Sequence, residues 1–203
     1  MNKRLNDIVS KTCKLFQKFG IKSVSMDDIA QACGISKKTL YENIKDKREL
    51  VEKVIDFEFH KDSHMPHSID ISKFKAVDSL FMVYKSAIVF FKDFNMSMEY
   101  DLKKYYSDLH EKVSKRRRKH IYEKMILNME QGRKEGSFRD DFNIDIIARL
   151  HILKIEGLLQ SDIFDDTDYS IVEIFKELFT HHFMAIATEK GKKEFNIKLA
   201  ETN

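Results

Sequence analysis

Five side chains that can contact nucleic acid lie within seven consecutive residues of the sequence. They are Lys37, Lys38, Thr39, Tyr41 and Asn43, in the segment GISKKTLYENI. A lysine can bind guanine O6 and N7 or a phosphate, an asparagine can pair with adenine N6 and N7, and a hydroxyl can donate to a phosphate. The set predicts DNA contacts, although each residue alone could equally belong to a solvated charged face.

The flanking pattern places these residues on the second helix of a helix-turn-helix. Ser25 is a preferred N-cap for the first helix, and Gly34 readily adopts the left-handed conformation that ends helices. The second helix is expected over about 37–43, and such a helix lies in the DNA major groove. Because a helix this short is marginal alone, we expect apolar faces on helices 3–19 and 47–62 to hold it in place.

The distribution of charge favours a polyanionic partner for the N-terminal part of the chain. Residues 1–48 hold 11 Lys and Arg against 5 Asp and Glu, a net charge of +6, whereas residues 49–203 have a net charge of −3. A basic head on a mildly acidic body suggests that the head binds a polyanion. The N-terminus does not have the pattern of a signal peptide, and the apolar stretches are too short to span a bilayer. We therefore expect a cytoplasmic protein without membrane contact.

The segment SMDDIAQAC, residues 25–33, together with GISKKTLYENIKDKREL, residues 34–50, resembles the DNA-binding head of TetR-family transcriptional regulators. The matching pieces are Asp28–Ala30, Gly34–Ser36, Thr39–Tyr41, and Lys47 with Leu50. The resemblance covers roughly residues 5–55. It implies an all-helical homodimer whose heads bind a palindromic operator in double-stranded DNA. It also implies that a small-molecule effector, bound by the C-terminal domain, releases the DNA.

The resemblance assigns the DNA contacts to the short helix and to residues on either side of it. The implied contact residues are Ser25, Met26, Lys37, Lys38, Thr39, Tyr41, Asn43 and Lys47. Lys47 stands at the phosphate-binding position. The sequence departs from the family's pattern at Glu42 and Asn43, where an aromatic residue or His is frequent, and at Ile44, where Phe is frequent. The base preference is therefore open, and Glu42 either accepts from cytosine N4 or points away.

The expected fold class is all-α, with a three-helix helix-turn-helix head at residues 1–48 and a larger C-terminal helical domain at residues 63–203. A helix over about 47–62 would connect the head to this ligand-binding and dimerisation domain. One Pro and six Gly in 203 residues favour long helices with short connections. Beyond the head, helical patterns span about 70–94, 97–110, 112–135, 143–160 and 168–190.

The last two of these predicted helices have apolar faces too wide for a single packing contact. Such helices are either central in their own domain or shared with a partner. The resemblance implies that both helices pair with their symmetry mates in a homodimer. The expected interface residues are Ile147, Leu150, Leu158, Phe175, Phe179 and His182.

The middle helices are rich in aromatic residues and Met. Each of these residues alone fits core packing, but together they suggest an apolar effector pocket with a few tyrosine hydroxyls as its polar groups. The candidate pocket residues are Phe59, Phe81, Tyr84, Phe91, Met98 and Tyr105.

Other chemistries have weaker support in the sequence. His60, His64 and His67 lie around Pro66, and a solvated connector fits them better than a metal site. The run 114–120, SKRRRKH, fits a solvated helix face better than a second nucleic-acid patch. Cys13 and Cys33 lie in apolar patterns that favour buried thiols.

We find no nucleophile motif, GxGxxG or P-loop, so the sequence favours neither an enzyme nor a cofactor. The expected function is a ligand-responsive DNA-binding regulator of transcription. We expect a repressor that a small apolar or aromatic molecule releases from a palindromic operator. The alternative is a helical small-molecule-binding or scaffold protein with a vestigial DNA-binding head. The sequence does not distinguish a repressor from an activator.

Overall fold

The computed structural model describes residues 3–59, 73–93, 96–160, 163–164 and 167–200. Within these ranges the chain forms ten α-helices and no β-strand, which confirms the all-α fold class. The helices are α1 Lys3–Phe19, α2 Met26–Cys33, α3 Lys37–Asn43, α4 Lys47–Phe59, α5 Ala76–Asp93, α6 Met96–Tyr105, α7 Ser107–Lys134, α8 Ile144–Gln160, α9 Ile171–Ile186 and α10 Glu189–Ala200. None of these helices is both long enough and apolar enough to cross a membrane.

The chain forms two compact units. The first, here called the head unit, lies within Met1–His64 and Asp93–Lys115, and the second, the body unit, lies within Met65–Lys92 and Arg116–Asn203. The head unit therefore includes α6 and the first residues of α7 in addition to α1 to α4. The domain boundary expected between residues 48 and 63 stays a prediction.

The head unit has its own hydrophobic core, and α1 packs on α2, α4 and α6. The core-facing side chains recur three or four residues apart along α1 and α4, as expected for amphipathic helices. They include Ile8, Val9, Cys13 and Phe16 of α1, Ile29 of α2, Leu40 of α3, Leu50, Val51, Val54 and Ile55 of α4, Leu102 of α6 and Leu109 of α7. Leu40 is fully buried and is the only buried residue of α3. Tertiary packing through this side chain holds the seven-residue helix, because burying a leucine contributes about 1.5–3 kcal/mol.

An aromatic cluster dominates the core of the body unit. Tyr84 stacks on Phe179 with ring centroids 4.4 Å apart, and Phe91 lies 4.7 Å from Phe175. Phe183 stacks on Phe195 of α10 at 4.1 Å. The C-terminal helix thus closes one side of a core built by α5 and α9.

The helix expected over 168–190 is in fact two helices, and the sequence prediction missed α10. α9 ends at Ile186 because Ala187 is extended, with φ −78° and ψ 143°, and bridges to Phe138. Thr188 then caps the start of α10, since its Oγ1 accepts from the Gly191 N–H at 3.2 Å. A Cβ on Gly191 would lie 2.1 Å from the Ser137 carbonyl oxygen, so only glycine fits this approach. A Thr followed by Glu189 was the available signal for a new helix start.

Two other predicted boundaries differ from the structure. The break expected near residue 111 lies at Tyr106, so α7 begins at Ser107 instead of residue 112. Ser107 and Asp108, a preferred capping residue and an acidic first-turn residue, were the local signal. α5 begins at Ala76, whereas helix was expected from residue 70, and residues 70–72 lie outside the described ranges. Residues 60–62, expected at the end of α4, also lie outside them.

Candidate nucleic-acid interface

The first helix of the helix-turn-helix starts with a complete capping box. The Ser25 Oγ accepts from the Asp28 N–H at 3.1 Å, and the Asp28 carboxylate accepts from the Ser25 N–H at 2.7 Å. The Ser25 hydroxyl also donates to Asp28 at 2.6 Å, and this hydrogen bond is the main cause of the lowered pKa of that carboxyl. Reciprocal bonds of this kind satisfy free N–H groups at a helix start. The Ser25 side chain is therefore engaged within its own helix.

The turn between α2 and α3 forms as the sequence predicts. Gly34 has φ +67° and ψ 34°, a left-handed conformation that favours glycine, and its N–H donates to α2 carbonyls. Ser36 caps α3, because its Oγ accepts from the Thr39 N–H at 3.0 Å. The two helices and their turn thus have the geometry of a helix-turn-helix, with the predicted bounds of α3 confirmed.

Lys38 and Tyr41 have exposed side chains on α3 that are available to a binding partner. Lys38 is exposed and Tyr41 is 45% exposed, while Leu40 between them faces the core. Neither forms a hydrogen bond or an ion pair with another residue of the described part of the chain. Glu42 is also exposed. The outer face of α3 therefore offers one ammonium, one phenol and one carboxylate to a partner.

Three other predicted contact residues already have internal partners. Lys37 forms an ion pair with Asp27 at 2.9 Å, and the hydrogen bond to that carboxylate raises the pKa of the lysine. Asn43 is half-buried, and its side-chain amide donates to the Thr39 carbonyl at 2.8 Å. The Thr39 hydroxyl lies 2.9 Å from the Ser36 Oγ. A base or phosphate contact by these side chains would have to replace or share such bonds.

Met26, the first residue of α2, and Lys47, the first residue of α4, are both partly buried. Met26 packs against the head core. Lys47 begins α4, and its Nζ lies 3.5 Å from the Lys22 carbonyl oxygen. Burial lowers the pKa of Lys47, while the charges of Asp101 and Asp28 act in the opposite direction. Partial burial fixes the direction of the side chain and leaves its ammonium at the edge of the head.

The predicted pocket residues divide between the two units. Phe81, Tyr84 and Phe91 are buried in the aromatic cluster of the body unit. Phe59, Met98 and Tyr105 belong to the head unit, where Met98 packs on the head core and Tyr105 is 41% exposed. The predicted pocket residues therefore belong to two different units, because α6 packs with the head.

The predicted dimer-interface residues fall into a buried group and a more exposed group. Phe175, Phe179 and His182 are buried within the body unit of a single chain, whereas Leu150 is 45% exposed and Ile147 and Leu158 are half-buried. Ile146 and Leu153, which the sequence analysis left out of this set, are 53% and 64% exposed. Positions 146, 150 and 153 lie on one face of α8, and their three- and four-residue spacing was the available signal.

His182 forms an unexpected pair with His151. The two rings lie 4.3 Å apart between centroids, and both side chains are buried. His151 Nδ1 and His182 Nε2 have no hydrogen-bond partner among the described residues. Burial lowers the pKa of His151 to about 4 and lowers that of His182 as well, so both imidazoles are neutral at neutral pH.

The remaining candidate residues have ordinary structural surroundings. Cys13 is buried and its thiol donates to Glu58 at 2.8 Å, but Cys33, expected to be buried, is only half-buried because it ends α2 at the edge of the core. Arg118 of the basic run pairs with Glu156 at 2.7 Å. No group of three or more potential metal ligands occurs among the described residues, and His60, His64 and His67 lie outside them.

Comparisons with known proteins agree with this geometry. Residues 8–54 match the family model for bacterial regulatory proteins of the tetR family. No curated protein matches the chain in a sequence search. A transcriptional regulator from Cytophaga hutchinsonii is similar in structure, with a TM-score of 0.71, 19% identity, and coverage of 92% of this chain and 100% of that chain.

Two further solved structures share the fold. A TetR transcriptional regulator from Agrobacterium tumefaciens has a TM-score of 0.58 at 20% identity, covering 96% of this chain and 100% of that one. AibR in complex with isovaleryl coenzyme A and operator DNA has a TM-score of 0.58 at 16% identity, covering 89% and 98%. The fold and the head define a helix-turn-helix protein with a larger helical domain. Residues 8–54 match the tetR-family model, and the whole chain has the fold of solved TetR-family regulators.

Proposed function

We propose that this chain is a ligand-responsive repressor that binds a palindromic operator as a homodimer and leaves it when a small apolar or aromatic molecule binds. The main supporting observation is that Lys38 and Tyr41 are both exposed on α3. This short helix is held in place by its capping residues and by the buried side chain of Leu40. As a regulator of transcription it would act in the cytoplasm, bound to DNA, and we assign it no catalytic activity.

The exposure and internal partners of the head residues suggest different roles for them in DNA binding. Lys38 is exposed on α3, the helix that would enter the major groove, so it would read guanine or bind a phosphate. Tyr41 would donate its hydroxyl to a phosphate, and Lys47, steadied by its partial burial, would bind another. Ser25 and Met26, at the start of α2, would approach the DNA backbone. Lys37, Thr39 and Asn43 would contribute only by exchanging their internal bonds, and Glu42 would select against some bases.

The exposed apolar face of α8 supports the homodimer. Ile146, Leu150 and Leu153 leave a large apolar surface in a single chain, and Met184 of α9 is 37% exposed. A two-fold dimer would bury this face against its own copy. It would also present two α3 helices to half-sites one helical turn apart, which is why the operator should be palindromic.

The aromatic cluster of the body unit supports an apolar effector. Its phenol, Tyr84, has a pKa raised by burial, so the hydroxyl stays protonated and can donate to a ligand. AibR, which shares the fold, has been solved in complex with isovaleryl coenzyme A and operator DNA. By linkage, effector and operator must weaken each other's binding by the same factor, typically worth ~1–3 kcal/mol.

Selection of bound DNA from a random pool, at moderate and at high salt, tests the function. A palindromic motif that survives the higher salt is the expected result, because base contacts persist when phosphate contacts weaken. The operator found in this way then serves to screen effectors by release. Absence of any enriched motif would contradict the proposal and favour the alternative of a small-molecule-binding protein with a vestigial head.

A further inference from the structure

Two lysines and two tyrosines of the head unit form a group outside the helix-turn-helix. Lys22 lies in the loop between α1 and α2, whereas Tyr100, Lys104 and Tyr105 lie on α6. Lys22 Nζ donates to the Tyr105 hydroxyl at 2.8 Å, and Lys104 Nζ donates to the Tyr100 hydroxyl at 2.9 Å. All four side chains are exposed. We call this group the α6 cluster.

The α6 cluster concentrates positive charge around phenol rings. The Lys22 ammonium lies 4.6 Å from the centroid of the Tyr105 ring, and the Lys104 ammonium lies 5.1 Å from that of Tyr100 and 5.5 Å from that of Tyr105. Hydrogen bonds from both lysines, the one from Lys22 first, lower the pKa of Tyr105. Both ammonium groups therefore lie beside the Tyr105 ring.

No carboxylate of the described residues lies within ion-pair distance of either ammonium. Asp101, the acidic residue nearest to Lys104 in the sequence, is buried, and its carboxylate accepts from the Lys22 backbone N–H at 2.8 Å. The two like charges are thus held together by neutral phenols. An anion between them would relieve their repulsion and would find four hydrogen-bond donors, two ammonium groups and two hydroxyls.

The cluster is continuous with the proposed DNA-binding surface. The Lys22 carbonyl oxygen lies 3.5 Å from the Nζ of Lys47, which is the proposed phosphate ligand at the start of α4. Arg48 also pairs with Asp108 at the start of α7, close in sequence to Tyr105. The loop that carries Lys22 thus joins the α6 cluster to Lys47.

We propose that Lys22, Tyr100, Lys104 and Tyr105 bind a phosphate of the DNA backbone beyond those that α3 and Lys47 reach. This inference rests on the proposed DNA-binding function. It adds a second positioning contact, independent of base sequence, on an element outside the helix-turn-helix. Because phosphate contacts carry no sequence information, the site affects affinity for all DNA sequences and their salt dependence.

The test uses the full-length protein and a mixed-sequence duplex of about 30 base pairs, with affinity measured over a series of salt concentrations. Lys104→Gln should reduce the magnitude of the slope of log K against log salt by about 0.9 and weaken binding roughly fivefold near 0.1 M salt. Tyr105→Phe keeps the ring but removes the shared phenol, so we expect a smaller loss. The matched control is Lys115→Gln, which also removes one exposed lysine of the head unit, but one paired with Glu111.

The outcomes separate this inference from the function on which it rests. A slope that Lys104→Gln and Lys115→Gln change equally would overturn the site, because only net charge would then matter. If Lys104→Gln leaves DNA binding intact but abolishes stabilisation of the protein by inorganic phosphate at constant ionic strength, the site binds free anions and the DNA assignment is wrong. If the wild-type protein fails to bind any duplex, the proposed function itself fails.

Discussion

The head unit and the body unit treat polar groups in opposite ways. In the head, the polar groups near α2 and α3 lie at the surface and are satisfied over short sequence distances, as in the bonds of Ser25 with Asp28 and of Ser36 with Thr39. In the body, His151 and His182 lie on two different helices, are buried, and leave ring nitrogens without partners among the described residues. The head therefore presents its chemistry outwards on a locally specified frame, whereas the body keeps polar groups inside at a cost in stability.

The largest expected effect comes from removing the single buried anchor of α3. Leu40→Ala should destabilise the head by about 2–5 kcal/mol and abolish DNA binding, because no other residue of this helix is buried. Denaturant unfolding and affinity for a mixed-sequence duplex would measure both effects. The neighbouring Tyr41→Ala serves as control, with unchanged stability and weaker DNA binding. Equal unfolding curves for wild type and Leu40→Ala would contradict the assigned role.

The histidine pair should make the body sensitive to acid. The folded-state pKa of both residues lies below that of the unfolded chain, so the unfolded state takes up protons first as the pH falls. Their contribution to stability is therefore complete above about pH 6.5 and is lost as the pH falls towards about 4, the folded-state pKa of His151. Unfolding free energies measured across this range should decrease, by about 3 kcal/mol for His151 alone.

Replacing the pair distinguishes this effect from the titration of carboxylates. The double variant His151→Leu and His182→Leu should flatten the pH dependence in this window. The control is His181→Gln, which removes an exposed histidine of α9, the helix that carries His182. The Nδ1 of His181 lies 3.5 Å from the Lys154 Nζ, and this variant should leave the slope unchanged. A slope insensitive to the double variant would show that the pair does not remain neutral on folding.

The capping box should have a moderate effect that is confined to the head. Ser25→Ala removes the acceptor for the Asp28 N–H and should cost about 1 kcal/mol of stability. Ser23→Ala, in the exposed loop just before α2, is the matched control and should be neutral. Thermal unfolding of both variants measures the difference. If the two variants unfold alike, local capping is not what specifies the start of α2.

The smallest effects should come from single phosphate contacts, which alter DNA binding without altering stability. Lys47→Ala should reduce the salt slope of DNA affinity by about 1, and Tyr41→Phe should weaken binding to all sequences. Lys38→Ala should instead change the sequence motif recovered by selection from a random pool. An unchanged motif would reassign Lys38 to the DNA backbone, and an unchanged slope would remove Lys47 from the interface.

The sequence predicted the helix-turn-helix far better than the later helices. The bounds of α1 and α3, the Ser25 and Ser36 caps and the left-handed Gly34 all agree with the structure, since each depends on residues within four positions. The predictions for α6 and α10 were weaker. Periodicity alone missed the break at Tyr106, although Ser107 and Asp108 carried a local signal. It could not show that Ala187 pairs with Phe138, because that contact joins segments distant in the sequence.

The amino-acid sequence by itself determined the helix-turn-helix, because capping, glycine conformation and apolar spacing act locally and add up within a short segment. Only the tertiary structure decided which of the polar residues remain available: Lys37 and Asn43 are engaged internally, while Lys38 and Tyr41 are not. It also brought Lys22 to Tyr105 and His151 to His182, since those contacts join segments 83 and 31 positions apart. Proximity of that kind depends on how helices pack, which no local pattern specifies.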